Sequence, residues 1–258
     1  MNTRAFLRND WFVRIFTFMI VMIVWQVVGQ SVSPVIWATP LEVVYRFAEL
    51  WSDGTLPSAV VITIQTILVG YAVSATLGIP IGFAMGRSRI LEYSFDPYVN
   101  LIYAIPTVTI IPLLLIWVGS NLTSSYLEVI VASIFPVIIN VMVGVRNVPR
   151  NLLETGKSFG FGKSSLWRKI VFPGSLPYIM AGLRIGMASS IVGAILAQLL
   201  LYPVGLGYII DLFSSDFDTP GIICGVLLTM VVAIGLTGTV ALIDKRLSSW
   251  ARGLVGIS

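Results

Sequence analysis

The sequence predicts an all-α membrane protein with about six transmembrane helices and both termini in the cytoplasm, on three observations. First, only 11% of the 258 residues are charged while 57% are hydrophobic, and the mean hydropathy is +0.93. A soluble domain carries about 25% charged residues, so this chain has too little charge to cover a water-facing surface. Second, the apolar residues gather into six uncharged stretches, each at or near the roughly 20 residues a helix needs to cross a bilayer. Third, the basic residues fall almost entirely between alternate stretches.

The stretches are Ile15–Val32, Val60–Met85, Val99–Gly119, Val129–Val145, Ile185–Leu201 and Ile222–Ile243. Lipid offers backbone groups no hydrogen-bond partner, so these segments are helices. The first follows Arg4, Arg8 and Arg14 as a secretory signal would, but its apolar run is longer than a usual signal core. It is therefore read as a retained span.

With the N-terminus inside, Arg87 and Arg89 fall in the cytoplasm. So do Arg146, Arg150, Lys157, Lys163, Arg168 and Lys169, and finally Lys245, Arg246 and Arg252. Of the 16 Lys and Arg, only Arg46 falls outside, and Arg184 stands at the inner end of the fifth span. Glu42, Glu49, Asp53, Asp211, Asp216 and Asp218 occupy the outer loops. This asymmetry sets the orientation, and it accounts for a pI of about 9.3 without a nucleic-acid partner.

Between the first two spans, Pro40–Trp51 places Leu41, Val44, Phe47 or Ala48, and Trp51 at helical intervals. That pattern reads as a short amphipathic helix on the outer surface. The single cysteine, Cys224, cannot form an intrachain disulfide. With no histidine in the chain, a structural zinc site and the commonest general base are both missing. The sequence thus predicts no catalytic, cofactor-binding or metal-binding residue.

The largest polar feature is the loop from Arg146 to Arg184. Pro149 can open a helix; Leu152 or Leu153, Gly156 and Phe159 form one stripe, and Gly160 supplies a stop. A second helix is expected from an N-cap at Ser164 or Ser165, running through Leu166, Trp167, Ile170 and Val171 until Pro173 ends it. Such helices can rest on lipid headgroups or dock in a groove of a cytoplasmic partner. Gly162-Lys163-Ser164 ends like a phosphate-binding loop. The upstream glycine, Gly156, is however separated from it by five residues instead of four, so ATP binding is not expected here.

Small residues recur every fourth position in the second span, at Gly70, Ser74, Gly78, Gly82 and Gly86, a spacing that allows close helix packing. Gln65, Asn140 and Gln198 are polar within spans and need hydrogen-bond partners. Interhelical bonding is the first reading of each, and a translocation-path role the second. Arg184 is read as reaching toward the inner interface, with a gating contact as the alternative. Pro80 lies in the second span, and Pro106 and Pro112 interrupt the third. No acidic residue or histidine is assigned to a span, which argues against proton coupling.

The loop also resembles a known family. Glu154-Thr155-Gly156, three residues, Gly160, nine residues, Ile170, one residue and Phe172-Pro173 is similar to the EAA loop of ABC importer permeases, with Thr155 and Gly156 for two alanines and Phe172 for leucine. Ile105-Pro106, Ile111-Pro112-Leu113, Trp117-Val118-Gly119, Phe135-Pro136, Gly182-Leu183-Arg184-Ile185 and Gly205-Leu206-Gly207-Tyr208 extend the resemblance to the nitrate, taurine and aliphatic-sulfonate branch. That branch usually carries glutamate where this chain has Gln198.

The resemblance implies a type I importer permease of the bacterial inner membrane. Residues 1–54 would hold the first span and the outer segment, 55–250 the permease domain with its loop 146–184, and 251–258 a cytoplasmic tail. Glu154, Thr155, Gly156, Phe159, Gly160, Ile170 and Pro173 would couple the chain to an ATPase. Implied partners are two ATPase subunits carrying ATP and Mg, a second permease as a homodimer, and an extracytoplasmic substrate-binding protein. The implied solute is small and organic or anionic, of the sulfonate, taurine, nitrate or pyrimidine-precursor type.

Overall fold

The computed structural model describes residues 10–33 and 36–247. The expected tail 251–258, with Arg252, lies outside the described residues, as do Arg4 and Arg8. The helices run α1 Asp10–Gln30, α2 Pro40–Ser52, α3 Thr55–Arg87, α4 Arg89–Tyr103, α5 Ile111–Trp117 and α6 Leu122–Arg146. They continue with α7 Arg150–Ser158, α8 Lys163–Leu166, α9 Phe172–Leu200, α10 Gly205–Ser215 and α11 Thr219–Leu247. A 3₁₀ turn at Thr107–Thr109 precedes α5, and a π turn at Trp167–Val171 joins α8 to α9. Among the described residues, five helices are long and apolar enough to cross a membrane. A sixth crossing arises if the bent pair α4 and Thr107–Trp117 is one span.

The third expected span, Val99–Gly119, is thus not one straight helix. Its two halves meet at 84°. Pro106 has no N–H to continue the ladder, and the residue before it is driven toward extended backbone.

The core is α6 between α3 and α9. Along α3 the small residues meet α6 in a repeating register: Gly70 against Val129, Ser74 against Ser133, Gly78 against Val137, Gly82 against Val141 and Gly86 against Val145. Both helices advance by four residues per step, so they run parallel. Ser133 Oγ lies 2.8 Å from Ser74 Oγ, and Ser74 Oγ donates to the Ile130 carbonyl at 3.2 Å. On the other side the order reverses: Gly193 meets Ala132, Gly186 meets Val137, Gly182 meets Asn140, and Tyr178 meets Gly144. That reversal makes α9 antiparallel to α6. Elsewhere the chain turns its apolar side chains outward, most completely along α1, where nearly every residue is exposed.

At the end opposite the basic loop, α2 is clamped to the core. Thr39 and Glu42 form a reciprocal capping box, with Pro40 in the first turn. Arg46 pairs with Glu49 and Asp218, each at 2.7 Å, and its guanidinium sits over the Phe213 ring. Val43 and Leu50 are the buried positions of α2. The other apolar stripe, Leu41, Val44 and Trp51, is exposed. The helix carries apolar residues on two faces, and the Arg46–Asp218 pair decides which one turns toward α11.

In the loop, the second expected helix starts after Gly162, not at an N-cap of Ser164 or Ser165. It does not stop at Pro173. The π turn widens the backbone there, with the Phe172 N–H donating to the Trp167 carbonyl. Pro173 then enters the first turn of α9, where no N–H is required. Helix therefore runs from Lys163 to Leu200, and Arg184 lies well inside α9.

The α3–α6 seam leaves no room for a side chain. A Cβ on Gly82 would stand 2.5 Å from the Ile138 carbonyl oxygen, whereas one on Gly235 would meet nothing within 4 Å. Gly82→Ala should lower stability by about 1–3 kcal/mol, as overpacking does. Gly235→Ala should be neutral or slightly stabilising. Equal melting temperatures of the two variants in detergent would refute the close seam.

Candidate functional site

The loop between α6 and α9 is built as a short rigid arm. Helix α7 ends in a Schellman motif: the Gly160 N–H donates to the Lys157 carbonyl at 2.9 Å and the Phe161 N–H to the Gly156 carbonyl at 3.0 Å. Gly160 takes φ of +74°, a backbone conformation that glycine enters cheaply. Gly156 is buried, and a Cβ there would lie 2.5 Å from Ile170 Cδ1 and 2.7 Å from Leu166 Cδ2. This glycine therefore seats α7 on the chain's own α8 and π turn. The motif positions Gly156 and Ile170 are thus one contact.

On the outer side, Phe159 is 77% exposed and Leu152 is exposed beside it. Glu154 and Thr155 are exposed too, and Thr155 Oγ donates back to the Asn151 carbonyl at 2.8 Å. A cavity of about 260 Å³ lies at the foot of α7, lined by Leu152, Thr155, Phe159, Ile170 and Pro173 among others. The arm's root is fastened to α3: Trp167 packs edge-on to Phe83 at 5.7 Å and lies under the Arg87 guanidinium at 5.1 Å. The arm is thus fastened to the Arg87 end of α3 and continues into α9.

The polar residues within the helices are not brought together. Gln65 is exposed on α3 in an apolar patch with Val61, Ile64, Leu68 and Val69. Asn140 donates to the Pro136 carbonyl of its own helix at 2.7 Å. Arg184 is paired with Asp244 of α11.

Gln198 is fully buried, and its Oε1 accepts from Thr63 Oγ at 3.0 Å and from the Gly207 N–H at 3.1 Å. Thr63 Oγ in turn accepts from the Leu206 N–H at 2.9 Å. Two side chains from different helices thus satisfy donors in the first turn of α10, which no intrahelical carbonyl can reach.

One residue escaped the sequence reading. Glu128 lies in α6, fully buried, with neither carboxylate oxygen in a hydrogen bond of normal geometry. The fourth span was expected to begin at Val129, one residue later, and so left Glu128 out. The argument that no acidic residue lies within a span does not stand. Placing the N-cap at Asn121, whose side chain does accept from the Ser124 N–H, would have put Glu128 inside the helix. Thr107, in the 3₁₀ turn after the bend, approaches this carboxyl group.

This assembly, a bundle around one central helix with a rigid arm between its third and fourth long helices, is that of a transport permease. Residues 78–249 match the family described as binding-protein-dependent transport system inner membrane component, and the chain belongs to that family. It is thus an inner-membrane permease of the ABC type. The riboflavin transport system permease RibX of Chloroflexus aurantiacus is 29% identical over 91% of this chain and 88% of its own. The taurine transport system permease TauC of Escherichia coli is 26% identical over 91% and 88%. Among solved structures, the MetNI methionine ABC transporter in an inward facing conformation is similar with a TM-score of 0.65 at 17% identity. That match covers 73% of this chain and 94% of that one, and it supports the fold alone.

Two consequences of the site can be measured. Gly156→Ala should lift α7 off the π turn and make Lys157 and Lys163 more open to trypsin. Adding Ile170→Val, which removes the clashing Cδ1, should recover part of the protection. Unchanged digestion of both variants would show that the Gly156–Ile170 contact does not hold the arm. Gln198→Leu should cost about 1–3 kcal/mol by leaving buried donors unpaired. A melting temperature equal to that of the native chain would remove Gln198 from the support of α10.

Proposed function

We propose that the chain is the transmembrane subunit of an ATP-driven importer, with the arm around Glu154–Phe159 as its point of contact with a separate ATPase. The observation that carries this is the arm itself. It is a nine-residue helix closed by a Schellman turn, braced from behind by Ile170 and Leu166. It presents an exposed Phe159 that nothing in the chain covers among the described residues. An aromatic side chain held rigidly at a protein–water boundary is suited to filling a partner's pocket. Its fastening to α3 and α9 gives a push on the arm a route into the spans.

In this reading the arm is cytoplasmic, with the basic residues on its side of the membrane. ATP and Mg belong to two ATPase subunits below, and no residue of this chain does covalent chemistry. Two copies of the chain would enclose the path, and an extracytoplasmic binding protein would deliver a small organic or anionic solute. Relatives named for taurine and riboflavin transport show how little the family fixes the solute. An ion-gradient carrier would need no such arm.

Replacing Gly160 by valine forbids the left-handed turn and should release the ATPase while the spans stay inserted. Mass spectrometry of what co-purifies in mild detergent reads the result. A native-like yield of ATPase with the Gly160→Val variant would count against the docking assignment.

A further inference from the structure

Glu128 makes no ion pair among the described residues, and the helices around it offer no cation. The chain carries no Lys or Arg between Arg89 and Arg146, nor between Arg184 and Lys245. The stretches 90–145 and 185–244 therefore supply no cation, and Arg184 is engaged by Asp244. A carboxyl group buried without a counter-charge is costly to ionise, and an ionisable residue held inside a span marks a place where a solute or ion can supply the missing charge.

Geometry shows from where. Glu128 shares one face of α6 with Val131, Ala132 and Phe135, spaced by three, four and seven residues. Those three line a cavity of about 200 Å³ that is walled on its other sides by Tyr103, Thr107 and Ser189 among others. Thr107 is both a wall of the cavity and the group that approaches Glu128. It sits directly after the 84° break, where a small hinge motion would withdraw it and open the carboxylate to the cavity. The remaining walls mix aliphatic side chains, Ile102, Ile105 and Val192 among them, with three groups that can face a cation. Tyr103 and Phe135 present aromatic rings, and Ser189 offers a hydroxyl oxygen. The volume lies below the roughly 300–1,000 Å³ of sites for drug-sized ligands, which fits a solute of few heavy atoms.

We propose that Glu128 receives a positively charged group of the carried solute, an ammonium or amidinium, so that the solute is a cation or a zwitterion. This rests on the transport role proposed above. Thr107 acts as the cover, and the bend between α4 and α5 is the hinge that moves it.

The test uses charged thiol reagents, because it needs no knowledge of the solute. In the full chain carrying Cys224→Ala, a cysteine is placed in the cavity wall as Ser189→Cys, and separately as Val192→Cys. Modification by 2-aminoethyl methanethiosulfonate, a cation, is compared with modification by 2-sulfonatoethyl methanethiosulfonate, an anion. Each rate is normalised to that of free cysteine, and ATPase co-purification is measured in the same preparation. The cationic reagent should react faster, by about tenfold or more, as expected for a cleft with one sign of charge. The preference should collapse with Glu128→Gln and survive with Glu128→Asp.

A ratio near one with Glu128 intact, a ratio unchanged in Glu128→Gln, or no reaction at either position would each overturn the proposal. Loss of the charge preference with the ATPase still bound sinks the cation site alone. A cation preference in a chain that binds no ATPase sinks the importer reading and leaves the site.

Discussion

Everything in this fold depends on how closely α3 and α9 can approach α6. Water drives helices together in a soluble protein, but lipid is as apolar as leucine and supplies no such drive. What remains is van der Waals contact, which falls off within fractions of an ångström. The contact therefore has to be made by backbone, with side chains removed from one partner. The glycines of α3 admit Val129, Val137, Val141 and Val145 in turn, and those of α9 admit Ala132, Val137 and Asn140. The β-branched side chains on α6 have few rotamers to lose, so ordering them against a bare backbone costs little entropy. A stiff ridge entering a groove of glycines gives a seam with one register, and α6 becomes the rod to which α3 and α9 are referred.

The arm inherits its rigidity from that rod. It leaves the end of α6 and returns into α9 without a flexible joint, because the π turn at Trp167–Val171 carries the helix past Pro173. A proline there was legible as a helix end, and in isolation it would be one. The extra residue per turn releases the carbonyl that the proline ring would otherwise strike. Local sequence carried no sign of this, since it depends on Trp167 being held against Phe83 and Arg87 from another helix. Gly156 shows the same limit. Its place in the motif was legible, while its purpose depended on Ile170 folding back over it.

What could be read in advance follows from what lipid enforces. The spans, the bend near Pro106, the small-residue stripe and the basic loop all come from one-dimensional signals of length, charge and spacing. The buried face of α2 did not, because Leu41, Val44 and Trp51 are as apolar as Val43 and Leu50, and the choice between them is made by Arg46 finding Asp218, far along the chain. Span edges suffered for a related reason. Hydropathy marks where charge stops, and at α6 that criterion excluded Glu128, a buried carboxyl group with no counter-charge.

Gln198 and Glu128 show why that criterion fails. Both are polar, both are fully buried, and both belong to the central helices. Gln198 is neutral, and its oxygen is claimed by Thr63 and by the first turn of α10, although its buried Nε2 makes no hydrogen bond. Glu128 carries two oxygens, neither in a hydrogen bond of normal geometry, with the Thr107 hydroxyl its one neighbouring donor among the described residues. A buried group whose bonds are complete stabilises a single arrangement, whereas one whose bonds are missing favours whatever arrangement or ligand completes them. In the importer proposed here, the glutamine whose oxygen ties α3, α9 and α10 together belongs to the part that stays fixed. The unsatisfied glutamate, beside the bend in the chain's most irregular span, belongs to the part that moves.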